Sequence, residues 1–175
     1  MAVLPALYLA IREQNRVSLL IAAGTLCCMA ADALLEVQFV TGAAVFAAAH
    51  LFFIAGMLCL VSPGLFTLVL FACVYAVLFA ILRPYIRKLG KLAVLGALYV
   101  AFLCAMFSMA GTVFFENPGL SGGAAALGGA AFVASDTILA VNLIGEKNSR
   151  KLDKILLVLY YSAVYLLAVC RYLPG

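Results

Sequence analysis

The chain has 175 residues, of which 68% are hydrophobic and only 10% are charged. A soluble domain has roughly 45–50% apolar and about 25% charged residues, so this composition excludes a soluble globular protein. The formal net charge of +4 lies in links beside apolar runs, where membrane topology explains it better than nucleic-acid binding does.

Six long apolar runs follow a short apolar segment, Met1–Ile11, which is too short to cross a membrane unaided. A hydrocarbon core about 30 Å thick needs about 20 apolar residues per helix. The sequence therefore predicts an all-α, polytopic transmembrane bundle of about six full spans plus the short N-terminal segment, forming a single transmembrane domain over residues 1–175. The predicted spans are Val17–Leu35, Phe39–Val61, Gly64–Leu82, Leu92–Phe115, Gly122–Ile144 and Ile155–Leu173.

The links between the spans carry a charge bias that orients the bundle. Eight of the eleven Lys and Arg residues lie in two links, residues 83–91 and 145–154, which alternating crossings put on one side. We expect that side to be cytoplasmic, because cytoplasmic loops are enriched in basic residues. The expected location is that of a multi-pass protein of a bacterial inner membrane.

The polar groups able to do chemistry collect in the half of the bundle next to that side. Counting about 1.5 Å per residue places Asp32 near the inner end of its span and Asp136 in the inner half of another. The same count places His50 near the midplane, with Tyr160 and Tyr161 within two turns of the inner end of the last span. An acid at the bilayer centre costs roughly 2.5–3.5 kcal/mol, so these acids mark a candidate site.

Two acids stand one helical turn apart in "ADALLE". Asp32 and Glu36 are spaced i,i+4, which stacks their side chains on one helix face within about 5–6 Å. Two carboxylates this close cannot both ionise cheaply in a low dielectric, so one is expected to hold a proton and to serve as a general acid. The alternative for Glu36 is an interfacial side chain that reaches to water.

Asp136 has no cation within one helical turn of its own sequence, so its partner is expected to come from another helix. The alternative is a packing hydrogen bond to a hydroxyl group. His50 is the only histidine, which argues against a multi-histidine zinc site. We expect His50 to orient a carboxylate or a ligand head group, with simple core packing as the alternative.

Other kinds of site find little support in the sequence. Ser135 is not part of a GxSxG motif, and the glycine-rich stretch lacks the lysine of a phosphate-binding loop, which argues against a serine nucleophile and a phosphate loop. No cofactor and no metal is expected, with a metal held by carboxylates as the alternative. The six cysteines lie inside apolar runs without CxxC spacing and are interpreted as small buried hydrophobes. Stripes of small residues that include Ala43 and Ala47 are interpreted as helix-packing seams.

The order of the motifs "ADALLE", "TGAAVFAAAHLFF", "GAAFVASDTILAVN" and "LYYSAV" resembles the lysoplasmalogenase family, also called YhhN-like, of polytopic membrane proteins. The resemblance covers roughly residues 17–165. Its matching positions are Asp32, Leu35, Gly42, Phe46, His50, Gly129, Ala130, Phe132, Ser135, Asp136, Leu139, Ala140, Tyr160 and Tyr161. The sequence departs from the family pattern at Ala31, Phe53 and Val164, where the family usually has glycine, tyrosine and glutamine. The family usually has about eight spans, of which the first and most of the second have no counterpart in this sequence.

This resemblance implies hydrolysis of the vinyl-ether bond of lysoplasmalogens to a fatty aldehyde and a glycerophospho head group. Asp32 and Asp136 are the predicted catalytic acid and base. The residues predicted to position the head group or water are Glu36, His50, Ser135, Asn142, Tyr160 and Tyr161. The expected partners are a lysophospholipid substrate and membrane lipid, with no nucleic acid and no inferable protein partner. The alternative is a small proton-coupled transporter or lipid-binding membrane protein, in which the two aspartates carry protons.

Overall fold

The computed structural model describes residues 2–145 and 149–173. Six of the described helices are long and apolar enough to cross a membrane, which confirms the predicted all-α polytopic bundle. Lys147, one of the basic residues used for orientation, lies outside the described residues. The helices are α1 Val3–Glu13, α2 Arg16–Val37, α3 Phe39–Leu58, α4 Leu65–Lys88, α5 Ala93–Glu116, α6 Leu120–Leu143 and α7 Arg150–Val169, with 3-10 turns at Gly90–Leu92 and Cys170–Tyr172.

Two helices extend well beyond the apolar runs that predicted them. The α4 helix continues past Leu82 to Lys88 through Pro84, and α7 begins at Arg150 rather than at Ile155. An apolar run marks only the stretch that must avoid water, whereas a helix can continue into the interface, where long basic side chains reach the solvent. Basic residues of both links therefore stand on helix ends and not in loops.

The α2 and α3 helices form a tight hairpin. Gln38, with extended backbone (φ −149°, ψ 106°), is the single residue between them. The helices approach so closely that a Cβ added at Gly42 would lie 2.7 Å from the backbone nitrogen of Leu35. Only glycine fits there, and the close approach places Asp32 of α2 and Phe46 of α3 beside the same side chain, that of Tyr160.

Five helices enclose the main core. The α2 helix packs on α3 and α7, α5 packs on α3 and α6, and α6 packs on α7. The α4 helix lies outside this ring against α5 and α6, and the short α1 packs along α2 and α7 through Ala6 and Ala10. Alanine side chains permit such close helix approach in a bundle without a strong hydrophobic driving force.

One end of the bundle carries most of the positive charge and is called the basic end below. It comprises the α2–α3 turn, the α4–α5 link and the α6–α7 link. Its described basic residues, all exposed, are Arg83, Arg87, Lys88, Lys91, Arg150, Lys151 and Lys154.

Candidate active site

The α6 helix places Asp136 in the bundle interior, where its side chain is only 8% exposed. The hydroxyl of Tyr99 on α5 donates a hydrogen bond of 2.5 Å to Oδ2 of Asp136. The hydroxyl of Ser135 donates to the carbonyl of Phe132 at 3.0 Å and lies 3.4 Å from Oδ1 of the acid. A hydroxyl group therefore lies beside each carboxyl oxygen of Asp136, and the hydroxyl group of Tyr99 comes from another helix.

Asp32 is held in a similar way on the other side of the bundle core. It is partly buried, and the hydroxyl of Tyr160 on α7 donates a hydrogen bond of 3.1 Å to its Oδ2. The buried thiol of Cys28 lies one turn earlier on α2 and on the same helix face. Asp32 and Asp136 are thus held by tyrosines of two different helices, α7 and α5.

A continuous series of rings joins the two tyrosines that hold these acids. The ring centroids of Tyr160 and Phe132 are 5.7 Å apart, those of Phe132 and His50 4.9 Å, and those of His50 and Tyr99 5.6 Å. Phe46 packs edge-on against both Phe132 and Tyr160. Such edge-to-face contacts are favourable and directional, so they fix the relative positions of α3, α5, α6 and α7 around the acids.

His50 is fully buried, and neither of its ring nitrogens has a hydrogen-bond partner among the described residues. The carbonyl oxygen of Phe46, one turn earlier, lies near the imidazole without meeting the distance and angle criteria of a hydrogen bond. A buried polar group without a partner costs about 1–3 kcal/mol. The imidazole is therefore available to bind a polar atom, such as the oxygen of water or of a ligand.

A cavity of about 310 Å³ lies at the basic end between α3, α4, α5 and α6. Asp136 is the one charged residue among its described lining residues, and Tyr85 and Tyr99 add hydroxyl groups to an otherwise apolar wall. Two of the lining residues, Val40 and Leu95, are 39% and 54% exposed on the outer face of the helices. The cavity is therefore continuous with the apolar outer surface of the bundle and opens sideways.

The cavity differs in two ways from what the sequence suggests. Asp136 lines it, whereas Asp32 does not, because the side chain of Asp32 turns toward Tyr160. Ala43 and Ala47, interpreted from the sequence as a packing seam, instead form part of the cavity wall on α3. Their small side chains leave room there for a ligand.

None of the six residues predicted to position the substrate or water, which include His50, Ser135 and Tyr160, lines this cavity. Glu36 is exposed at the basic end of α2, and Tyr161 is 56% exposed beside Tyr160. The amide of Asn142 donates to Asp153 at 2.5 Å, and its oxygen accepts a 3.4 Å bond from the backbone of Ser149, so this side chain braces the α6–α7 link. Their roles toward a substrate stay predictions.

The sequence interpretation missed two residues of this region, Tyr99 and Cys28. Tyr99 lies about two helical turns from the basic end of α5. The residue count that gives the depth of Asp136 in the membrane also places Tyr99 at that depth. Cys28 precedes Asp32 by one turn and therefore lies on the same face of α2.

Comparison with known proteins agrees with the motif pattern. The family model of the YhhN family matches residues 1–170. No curated protein and no solved structure matches the chain. Because the family match covers nearly the whole sequence, this multi-pass membrane protein belongs to the YhhN family.

Proposed function

We propose that this protein hydrolyses the vinyl-ether bond of lysoplasmalogens, with Asp136 as the acid that contacts the substrate. The observation that carries the proposal is the position of Asp136, a buried acid on the wall of an apolar cavity that opens sideways. A volume of about 310 Å³ is at the lower end of the roughly 300–1,000 Å³ of small-molecule sites. It suits the reactive end and part of the tail of a single-chain lipid.

The substrate is placed by matching its polarity to the cavity. The alkenyl chain lies against Ala47 and Leu103 in the deeper apolar part of the cavity, with the vinyl ether at Asp136. The glycerophospho head group points to the basic end, where Glu36 and the basic links are exposed. We place this end at the cytoplasmic face of a bacterial inner membrane, since basic residues are enriched on that side.

The first chemical step is transfer of the Asp136 carboxyl proton to the outer carbon of the vinyl ether. The electron pair of the C=C bond forms the new C–H bond, which leaves an oxocarbenium ion at the carbon attached to the ether oxygen. The carboxylate left on Asp136 and the charge of Asp32 stabilise this cation, because fixed charges act strongly in a site that excludes bulk water.

The second step is attack of water on the oxocarbenium carbon. The proton that water loses returns to Asp136, and the resulting hemiacetal collapses to the aldehyde and the alcohol. One water molecule is consumed, and no proton is gained or lost overall. The transition state resembles that of glycoside cleavage, which paired carboxylates also catalyse.

The neighbouring groups support these steps. His50 packs against Tyr99 of the cavity wall, and its unpaired nitrogens are assigned the role of holding the attacking water. Asp32, bonded to Tyr160, keeps one negative charge near Asp136. Since two charges are costly together in a low dielectric, the pair carries one proton when substrate binds.

The structure favours an enzyme over a transporter in one respect. In the half of the bundle away from the basic end, the hydroxyl groups of Thr25, Ser108 and Thr112 donate to carbonyl oxygens of their own helices at 2.7–2.9 Å. These groups are engaged locally and do not offer a ligand a polar path.

The proposal is tested with the purified protein in phosphatidylcholine nanodiscs, given a lysoplasmalogen and assayed for fatty aldehyde. We expect Asp136→Asn to lower turnover by about 10²-fold or more, because the amide has no acidic proton. Glu116→Gln, a matched change at an exposed acid of the opposite end, should keep wild-type activity. Circular dichroism and thermal unfolding establish that both variants are folded.

Two outcomes would contradict the proposal. Full lysoplasmalogen cleavage by a folded Asp136→Asn variant would show that Asp136 is not the catalytic acid. A wild-type protein that is folded but releases no aldehyde from choline or ethanolamine lysoplasmalogens is not this hydrolase, and proton-coupled uptake in liposomes would then support the transporter.

A further inference from the structure

A second concave surface lies on the outer side of α4 and α5, separate from the catalytic cavity. This groove has apolar walls from both helices, including Phe79, Ile86 and Val94. Its charged residues are Arg83 and Arg87, both exposed on α4. None of the catalytic steps uses either arginine.

The two arginines form a compact cationic pair. Their i,i+4 spacing places both side chains on one helix face, with Cβ atoms about 5–6 Å apart. Residues 79–97, which supply all of the groove, contain no aspartate or glutamate. No acidic residue of this segment therefore neutralises the charge of Arg83 or Arg87.

The groove places the two arginines next to an exposed apolar surface. It lies at the basic end of α4, and the neighbouring outward residues Ile81 and Val94 are exposed hydrophobics. A molecule that fills the groove meets two guanidinium groups at its end near the membrane interface and apolar side chains toward the bilayer. That polarity is the complement of a lipid with an anionic head group.

We propose that this groove binds an anionic phospholipid, with its phosphate between Arg83 and Arg87 and an acyl chain along Phe79 and Ala97. Guanidinium groups bind phosphate oxygens in pairs of parallel hydrogen bonds. Basic pockets between transmembrane helices are suited to anionic head groups. Ile86 lines both this groove and the catalytic cavity, so the bound lipid braces the α4 wall that the two share.

The test measures lipid retention by native mass spectrometry after the protein is exchanged from phosphatidylcholine into mixtures containing phosphatidylglycerol. We expect selective retention of phosphatidylglycerol by the wild type. The double variant Arg83→Gln/Arg87→Gln should bind it roughly tenfold or more weakly. The matched control Lys151→Gln/Lys154→Gln removes the same charge from α7 at the same end and should retain the lipid.

Three results would overturn the proposal. Equal loss in the α7 control would show diffuse attraction and not a site. Equal retention of phosphatidylcholine would show that charge does not select the ligand. Displacement of the lipid by an equal concentration of inorganic phosphate would identify a soluble anion as the ligand. Thermal unfolding of each variant shows that the fold is retained, and the experiment is independent of lysoplasmalogen cleavage.

Discussion

The hydroxyl of Tyr99 on α5 donates a 2.5 Å hydrogen bond to Asp136 on α6, so the acid that lines the cavity is oriented by a different helix. The ring of Tyr99 also meets His50 edge-on. One tyrosine thus links the acid to the buried imidazole. The orientation of the Asp136 carboxyl group therefore depends on how α5 packs against α3 and α6.

Replacing Tyr99 with phenylalanine should lower kcat by about 10- to 100-fold with little change in KM. The variant loses one hydrogen bond to a charged group, which is worth about 1.5–3 kcal/mol, and its ring still packs on His50. Steady-state aldehyde release measures the effect. Tyr75→Phe is the control, because Tyr75 stacks on Phe71 and Phe79 away from the acids. An unchanged kcat in Tyr99→Phe would show that the bond does not orient the acid for catalysis.

The neighbouring tyrosines of α7 should differ in their importance. Tyr160→Phe removes the donor to Asp32 and should reduce kcat by about tenfold. Tyr161→Phe changes a hydroxyl on a ring that is 56% exposed and should leave kcat within about twofold of wild type. The same aldehyde assay compares the two variants. Equal losses in both would mean that Tyr161 contacts the substrate directly.

His50→Leu should lower activity without lowering stability. The change removes two buried nitrogens that have no partner among the described residues, so no hydrogen bond to a described residue is lost and the free energy of unfolding should not fall. Turnover should fall at the same time, because the site loses the group that holds water. Thermal unfolding and aldehyde release are measured on one preparation. A less stable variant with full activity would identify His50 as a packing residue only.

Ala47→Leu should shift the substrate preference toward shorter alkenyl chains. The larger side chain enters the cavity wall on α3, and kcat/KM for long chains should fall about tenfold or more. Short-chain substrates should be affected less, which a series of chain lengths measures. Ala76→Leu, on the exposed surface of α4, is the matched control. A uniform loss over all chain lengths would contradict the placement of the tail.

The architecture was predictable because each span must keep about 20 residues away from water. That requirement leaves a direct mark in the sequence, and all six predicted spans are present as helices. The helix ends were less predictable, as α4 shows by continuing through Pro84 to Lys88. Beyond the hydrocarbon, a basic residue on a helix and one in a loop have similar access to water, so composition does not distinguish them.

The depth of the site was predictable, but its partners were not. Counting residues placed Asp32 and Asp136 in one half of the bundle, and in the structure contacting aromatic rings link the tyrosines that hold the two acids. The tyrosines that hold them depend on how each helix is rotated. Side chains that face lipid and side chains that face the core are equally apolar, so periodicity does not reveal that rotation. Tyr99 and the cavity-facing Ala47 were missed for this reason.

The opening of the cavity beside exposed apolar residues such as Val40 and Leu95 has a consequence for kinetics. A single-chain lipid can enter by diffusion within the leaflet, so the rate of turnover should follow its mole fraction in the bilayer and not its bulk molarity. Under the proposed cleavage, the two products would separate by phase, since the aldehyde would return to the membrane while the head group dissolves in water. This partition would keep the products apart and oppose recombination.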